Sequence, residues 1–192
     1  MMKRALDMTI SGVALIVLSP VLLLCALWVC FSSPGPVLFS QLRLGRNGRP
    51  FRLLKFRSMY VNAQERWNAD GSAYSSENDP RITSAGRFLR ATSLDELPQL
   101  WNVLRGEMSL VGPRPDQVDQ RRFYTERETR KLSVKPGLTG LAQISGRNRI
   151  SWEQRKALDV EYVERHGLLL DLQILLKTIP YVCLRRDIHS GA

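Results

Sequence analysis

Two adjacent carboxylates, Asp95 and Glu96, lie in the run Thr92-Ser93-Leu94-Asp95-Glu96-Leu97-Pro98-Gln99-Leu100 of a strongly basic chain. Arg81, Arg87 and Arg90 precede them and Gly112-Pro113-Arg114-Pro115 follows. Arginines around a carboxylate pair suit chemistry on phosphates. The guanidinium groups hold the anion, and a carboxylate attacks it or binds a metal that bridges it. A local reading competes. Ser93-x-x-Glu96 matches a helix capping box, with Asp95 in the first turn, where the helix dipole favours acids. Pro98 opposes it, because a helix begun after Ser93 would lack the donor for the Leu94 carbonyl. Proline fits better at the first helical position, which leaves both acids in the preceding turn at a positive helix end.

Other residues could complete such a site. Pro115 restricts Arg114 to extended geometry, so its guanidinium is pre-set for bidentate phosphate binding, or the tetrapeptide is simply a rigid turn. Lys55-Phe56-Arg57 reads as part of a strand, so Lys55 and Arg57 share a face; that face meets either substrate or acidic lipid headgroups. Asp159 and Tyr162 share a helix face by spacing, as surface, packing or site residues. The polar turn Gln143-Ile144-Ser145-Gly146-Arg147-Asn148 could hold a sugar or nucleotide, or be only a loop.

The elements that must position these residues begin with an apolar run from Ile10 to Phe31, about 22 residues, long enough to cross a hydrocarbon core. Ser19-Pro20 divides it into halves of roughly 17 Å, each too short to span alone. Lys3 and Arg4 precede the run; Arg43, Arg46, Arg49, Arg52, Lys55 and Arg57 follow it. Positive flanks favour the cytoplasmic side, and a single pass would force one of them across. A helix that enters, breaks at Ser19-Pro20 and leaves on the same side keeps both inside. A cleaved signal peptide is disfavoured, since the apolar stretch is long and lacks an A-x-A-like site.

The chain has 192 residues, and 28 Lys and Arg against 18 Asp and Glu give a formal charge of +10. That length fits one domain plus an anchor, and that charge implies an anionic partner: nucleic acid, acidic lipid or a phosphorylated substrate. Cys25, Cys30 and Cys183 form no C-x-x-C motif and no disulfide framework is expected, which fits a reducing compartment. Ser32-Ser33-Pro34-Gly35-Pro36 closes the anchor, giving an expected division into residues 1–36 and 37–192. Residues 37–39 and 51–56 read as strands joined by Gly45-Arg46-Asn47-Gly48, residues 60–68 as a short helix, and 70–80 as a mobile surface loop. Helices are expected over 86–92, 98–104 and 152–165, the last capped by Ser151 with Ala157, Leu158, Tyr162 and Val163 inward. Residues 168–184 suit an interfacial or a core helix. The fold class expected is an α-rich α+β domain pressed against a membrane.

Taken in order, the segments Lys3-Arg4-x-x-Asp7, Ser19-Pro20, Pro34-Gly35-Pro36, Lys55-Phe56-Arg57-Ser58-Met59, Ser93 to Leu100, Gly112 to Pro115, Pro136-Gly137-Leu138-Thr139-Gly140 and Gly146-Arg147-Asn148 closely resemble the bacterial sugar transferase family. These are the monotopic polyprenol-phosphate phosphoglycosyl transferases, here in minimal form. The resemblance implies transfer of a sugar-1-phosphate from a UDP-sugar to undecaprenyl phosphate, with release of UMP and with Mg²⁺ as cofactor. It puts the catalytic dyad and metal ligands on Asp95 and Glu96, and the helix break on Ser19 and Pro20. Lys55, Arg57, Arg90, Arg114, Arg147, Asn148 and Asp159 become candidates for holding phosphate or substrate. Ile144 to Asn148 followed by Ser151-Trp152-Glu153 is similar to members acting on N-acetylated sugars. Expected partners are the UDP-sugar, undecaprenyl phosphate and membrane lipids, not nucleic acid, at the cytoplasmic face of the bacterial inner membrane; a homodimer is left open.

Overall fold

The computed structural model describes residues 2–183 except 69, 73, 75, 77, 147 and 148. Helices α1 (Met2–Val17) and α2 (Ser19–Ser32) meet at an angle of 63°. The bend has a local cause. Pro20 brings no N–H to the Ile16 carbonyl, and the Ser19 hydroxyl donates to that carbonyl instead, at 2.7 Å. Among the described residues no single helix is long and apolar enough to cross a membrane; the bent pair passes that test together, by length and composition.

The first turns of α1 are tied to the rest of the chain by polar contacts. Asp7 is buried and accepts from Ser109 Oγ at 2.9 Å and from the Leu110 N–H at 3.1 Å. Arg4 donates to the carbonyls of Val103 and Leu104 at 2.5 and 2.8 Å. These are end carbonyls of α4 (Gln99–Arg105), so Arg4 caps that helix and meets its negative end. Lys3 pairs with Asp171 at 2.6 Å. Ala14, Leu15 and Leu18 continue this inner stripe onto the core, whereas Leu6, Ile10, Val13 and Val17 are exposed.

Strands β1 (Leu38–Leu44) and β2 (Pro50–Phe56) form an antiparallel hairpin that sets Phe39 opposite Lys55; Asn47, at φ 59°, makes its tight turn. After α3 (Ser84–Thr92) and α4, the short β3 (Ser109–Val111) pairs in parallel with β4 (Gly137–Thr139). A Cβ on Gly112 would meet the Lys135 carbonyl and one on Gly137 the Gly112 nitrogen, so only glycines allow this backbone approach. The remaining helices are α5 (Glu126–Thr129), α6 (Leu141–Ile144), α7 (Trp152–Arg165) and α8 (Leu168–Cys183). Phe51, Leu53, Leu100, Val103, Met108, Leu110, Val111, Tyr162 and Ile174 make the main core. The fold is helix-rich with two small sheets, as expected for an α+β chain.

Three local expectations are corrected. Residues 60–68 form no helix: Met59 bridges Ile82, the Tyr60 N–H donates to Arg81, and Asn62 turns left-handed at φ 70°. Tertiary pairing outweighs local propensity there. Within the segment read as a surface loop, Asp79 is buried and bonded to Arg81, and Ser72 is buried too. On α7 the inward residues include Trp152, Lys156 and Asp159, while Ala157 faces solvent. Helix α8 buries Ile174 on one face, as a core helix does, and exposes Leu169, Leu172, Leu176 and Ile179 on another.

Candidate active site

The dyad sits on a 3₁₀ turn, Leu94–Glu96, between α3 and α4. Ser93 ends α3 in left-handed geometry, φ 59°, and makes no capping bond with its side chain, so the Ser93–Glu96 capping box does not form. Pro98 stands immediately before α4, where its missing donor costs nothing. Lys55 reaches in from β2 and Arg114 from the segment after β3, and both bond the same Glu96 oxygen, Oε1, at 2.9 Å. Asp95 is 7 % exposed and makes no hydrogen bond to a described residue.

The two acids are therefore pushed apart. Burial raises the Asp95 carboxyl to about 6, against the pull of Lys55 and with Glu96 adding to the rise. Burial acts on Glu96 as well, but Arg114 and Lys55 outweigh it and hold that carboxyl well below the usual range. Burial lowers Lys55, opposed chiefly by Glu96. At neutral pH the pair is a firmly ionised Glu96 clamped by two cations, beside an Asp95 that carries a poorly solvated charge. That is the pattern of a reactive carboxylate.

Both line a cleft of about 250 Å³ whose walls carry, among the described residues, seven cationic side chains and four carboxylates. Of the residues singled out from the sequence, the cleft brings together Asp95, Glu96, Lys55, Arg90, Arg114, Asp159 and Gln143 of the polar turn. Arg57 is not brought there. It follows the end of β2, and its guanidinium turns to the anchor, bonding Pro36 O at 2.6 Å, Ser33 Oγ at 2.5 Å and Ser33 O at 2.7 Å. Arg57→Ala should cost about 3 kcal/mol by orphaning those carbonyls and lower the melting temperature by about 6–12 °C, leaving KM for the soluble substrate unchanged. An unchanged melting temperature with a raised KM would place Arg57 in substrate binding instead. Arg147 and Asn148 lie outside the described residues. Ser19 and Pro20 lie at the bend of the anchor.

Several cleft residues were not foreseen. Lys131 Nζ lies between Asp116 at 2.8 Å and Asp159 at 2.6 Å, all three largely buried. Tyr124 donates to the same Asp116 oxygen at 2.5 Å. This network steadies the arginine segment. The Arg114 N–H points at Asp159 Oδ1 (3.4 Å), Leu44 N–H donates to Asp116 O at 2.9 Å, and Gly137 N–H donates to Pro113 O at 2.9 Å. Lys131 carries no local signal, since its partners are distant in sequence. Trp152, Lys156 and Asp159 recur at helical spacing, and a charged face at that spacing beside a tryptophan was a readable sign of a polar pocket.

The family model for bacterial sugar transferases matches residues 1–185. The chain belongs to the bacterial sugar transferase family. It is similar to the exopolysaccharide production protein ExoY of Sinorhizobium fredii, 47 % identical over 195 residues, 96 % of this chain and 86 % of that one. The undecaprenyl-phosphate galactose phosphotransferase of Salmonella typhimurium is 44 % identical over 201 residues, 97 % of this chain but 41 % of that one. The UDP-glucose:undecaprenyl-phosphate glucose-1-phosphate transferase of Caulobacter vibrioides is 42 % identical over 186 residues, covering 93 % and 68 %. Two of these relatives of the sugar transferase are thus named for moving a sugar phosphate onto a lipid carrier.

Among the described residues no group of three or more His, Cys, Asp or Glu side chains is placed to hold a metal unaided. Mg²⁺ does not require one, since it commonly binds through one or two carboxylates and completes its shell with water and substrate phosphate. Asp95, and the Glu96 oxygen that Lys55 and Arg114 do not bond, are carboxylates of that kind and are the residues that would hold such an ion.

Proposed function

We propose that this sugar transferase moves a sugar-1-phosphate from a UDP-sugar to undecaprenyl phosphate in two displacements through Asp95. The supporting observation is the contrast inside one dyad: Glu96 neutralised by Lys55 and Arg114, Asp95 buried without a hydrogen bond to a described residue. In the first displacement an Asp95 oxygen bonds the β-phosphorus and the bond from that phosphorus to the α-phosphate oxygen breaks, releasing UMP. In the second, an oxygen of the lipid phosphate attacks the same phosphorus and frees Asp95, forming the lipid diphosphate sugar. Arg114, Lys55 and Arg90 offset the charge that accumulates as anion meets anion. Asp95 and Glu96 would hold Mg²⁺, which would supply further neutralisation of the diphosphate. Glu96, kept ionised by its two cations, is a weak base, so its part is to hold the metal and fix Lys55 and Arg114.

The bent pair of α1 and α2 is the proposed re-entrant anchor, which holds the cleft at the cytoplasmic face, where the lipid phosphate lies. With the native cysteines replaced by serine, Met2→Cys and Arg49→Cys should both resist an impermeant maleimide on intact cells; labelling of either rejects the hairpin. The chemical test is UMP release from a panel of UDP-sugars without lipid acceptor. A burst of UMP that accompanies incorporation of the sugar phosphate into the protein supports the covalent route. UMP release that strictly requires lipid supports single displacement, with Asp95 as a metal ligand only. The same panel decides the sugar. Relatives are named for galactose and glucose, and the N-acetylated donor read from the Ile144–Asn148 turn forms its second arm.

A further inference from the structure

We infer that Gln143 reads the nucleobase of the donor, its side-chain amide pairing with the N3–H and O4 of uracil; this rests on the UDP-sugar reading above. Gln143 lies on α6, is 8 % exposed and lines the same cleft as the dyad. Both its polar atoms, Nε2 and Oε1, are buried with no hydrogen-bond partner. A buried amide left with neither donor nor acceptor engaged is uncommon in a folded chain, because each group loses its water without replacement. A ligand with a matching edge would satisfy both atoms at once.

The geometry of the edge selects the ligand. A primary amide presents a donor and an acceptor side by side. Uracil's ring amide is held cis, so its N3–H and O4 also lie side by side and form a paired ring of two hydrogen bonds with glutamine. The amide of an N-acetyl sugar is trans, with N–H and C=O pointing in opposite directions. Gln143 could engage only one of them and would leave its other atom orphaned.

The neighbourhood fits a base. Tyr74, 38 % exposed, also lines the cleft. Arg81 lies over its ring at 5.7 Å from the centroid, and an exposed aromatic ring in a nucleotide cleft is a surface on which a base can stack. Arg155, on α7, lines the cleft as well, and its Nε is likewise buried without a partner. The dyad, with Arg90 and Lys55, occupies the wall built by α3, β2 and the 3₁₀ turn. Gln143 and Arg155 occupy the wall built by α6 and α7. A nucleoside diphosphate sugar whose β-phosphorus meets Asp95 can lay its nucleoside along that second wall.

The experiment uses the full chain in nanodiscs, with wild type and Gln143→Met, which keeps the side-chain volume and removes the amide. UMP, ribose 5-phosphate and AMP serve as competitors, and UDP-glucose and UDP-N-acetylglucosamine as donors. Expected in the variant are UMP inhibition and donor KM weakened by about tenfold or more, ribose 5-phosphate inhibition unchanged, kcat within threefold, and a melting temperature equal to or above wild type. UMP affinity held within twofold overturns the inference, as does equal weakening of UMP and ribose 5-phosphate. A loss confined to the N-acetylated donor, with UMP untouched, gives Gln143 to the sugar and also overturns it. A wild type that releases nucleotide from no UDP-sugar rejects the underlying function, and this inference with it; a wild type that releases UMP beside a variant that still holds UMP rejects the base contact alone.

Discussion

Replacing Asp95 by Asn should lower turnover by at least about 10³-fold and abolish the protein-bound sugar phosphate, since an amide oxygen is a far poorer nucleophile than a carboxylate of the same shape. The same change should stabilise the fold. The Asp95 carboxyl titrates near 6 in the folded chain, above its unfolded value. The folded state therefore holds the proton more tightly, and stability falls as pH rises toward 6 and stays low above it. The variant escapes that penalty, on the order of 1–3 kcal/mol at pH 8, and the gain should vanish near pH 4. In the wild type, kcat/KM should fall by up to about tenfold per unit at acid pH, as Asp95 takes up its proton, and the onset should move to lower pH as the Mg²⁺ concentration rises. Near-normal turnover of Asp95→Asn would falsify the nucleophile assignment. A variant less stable than wild type at pH 8 would mean that the cations around Asp95 more than offset its burial.

Arg114→Ala should lower kcat by about 10²-fold or more, with a smaller change in donor KM. Arg114 bonds Glu96 at 2.9 Å, and its backbone is pinned between two prolines, the Asp159 carboxylate and the β3–β4 pair. A guanidinium held that way loses little freedom when phosphate charge builds up, so its contribution falls mainly on the transition state. Arg114→Lys should recover only part of the loss, because a point charge on a flexible stem cannot bond Glu96 and a phosphate oxygen in one plane. A loss under threefold for the alanine variant would remove Arg114 from the reaction.

What could be read from the sequence was whatever is encoded locally. Asp95, Glu96 and Arg114 stand in short motifs whose prolines and glycines dictate the backbone that presents them. Ser151 caps α7 through a reciprocal pair with Gln154, a signal contained in four residues. Ser19-Pro20 marked the bend because a missing donor is visible in the residue type itself. The failures are failures of range. Lys131 meets Asp116 and Asp159 only because α7 folds over the segment after Arg114. Arg57 was assigned to the Lys55 face by strand alternation, but β2 ends at Phe56, and beyond the last ladder pair that rule no longer holds. Residues 60–68 had helical composition and lost to a bridge with Ile82.

Arg4 grips one end of α4, and the dyad precedes the other. Seven residues of helix separate them, about 10 Å at 1.5 Å per residue. In the proposed topology α4 acts as a gauge rod between the rim of the bilayer and the reacting oxygen. Thinning or swelling of the lipid would lift hairpin and carboxylate together, so the lipid's phosphate meets the acid at a constant height without a hinge to adjust it.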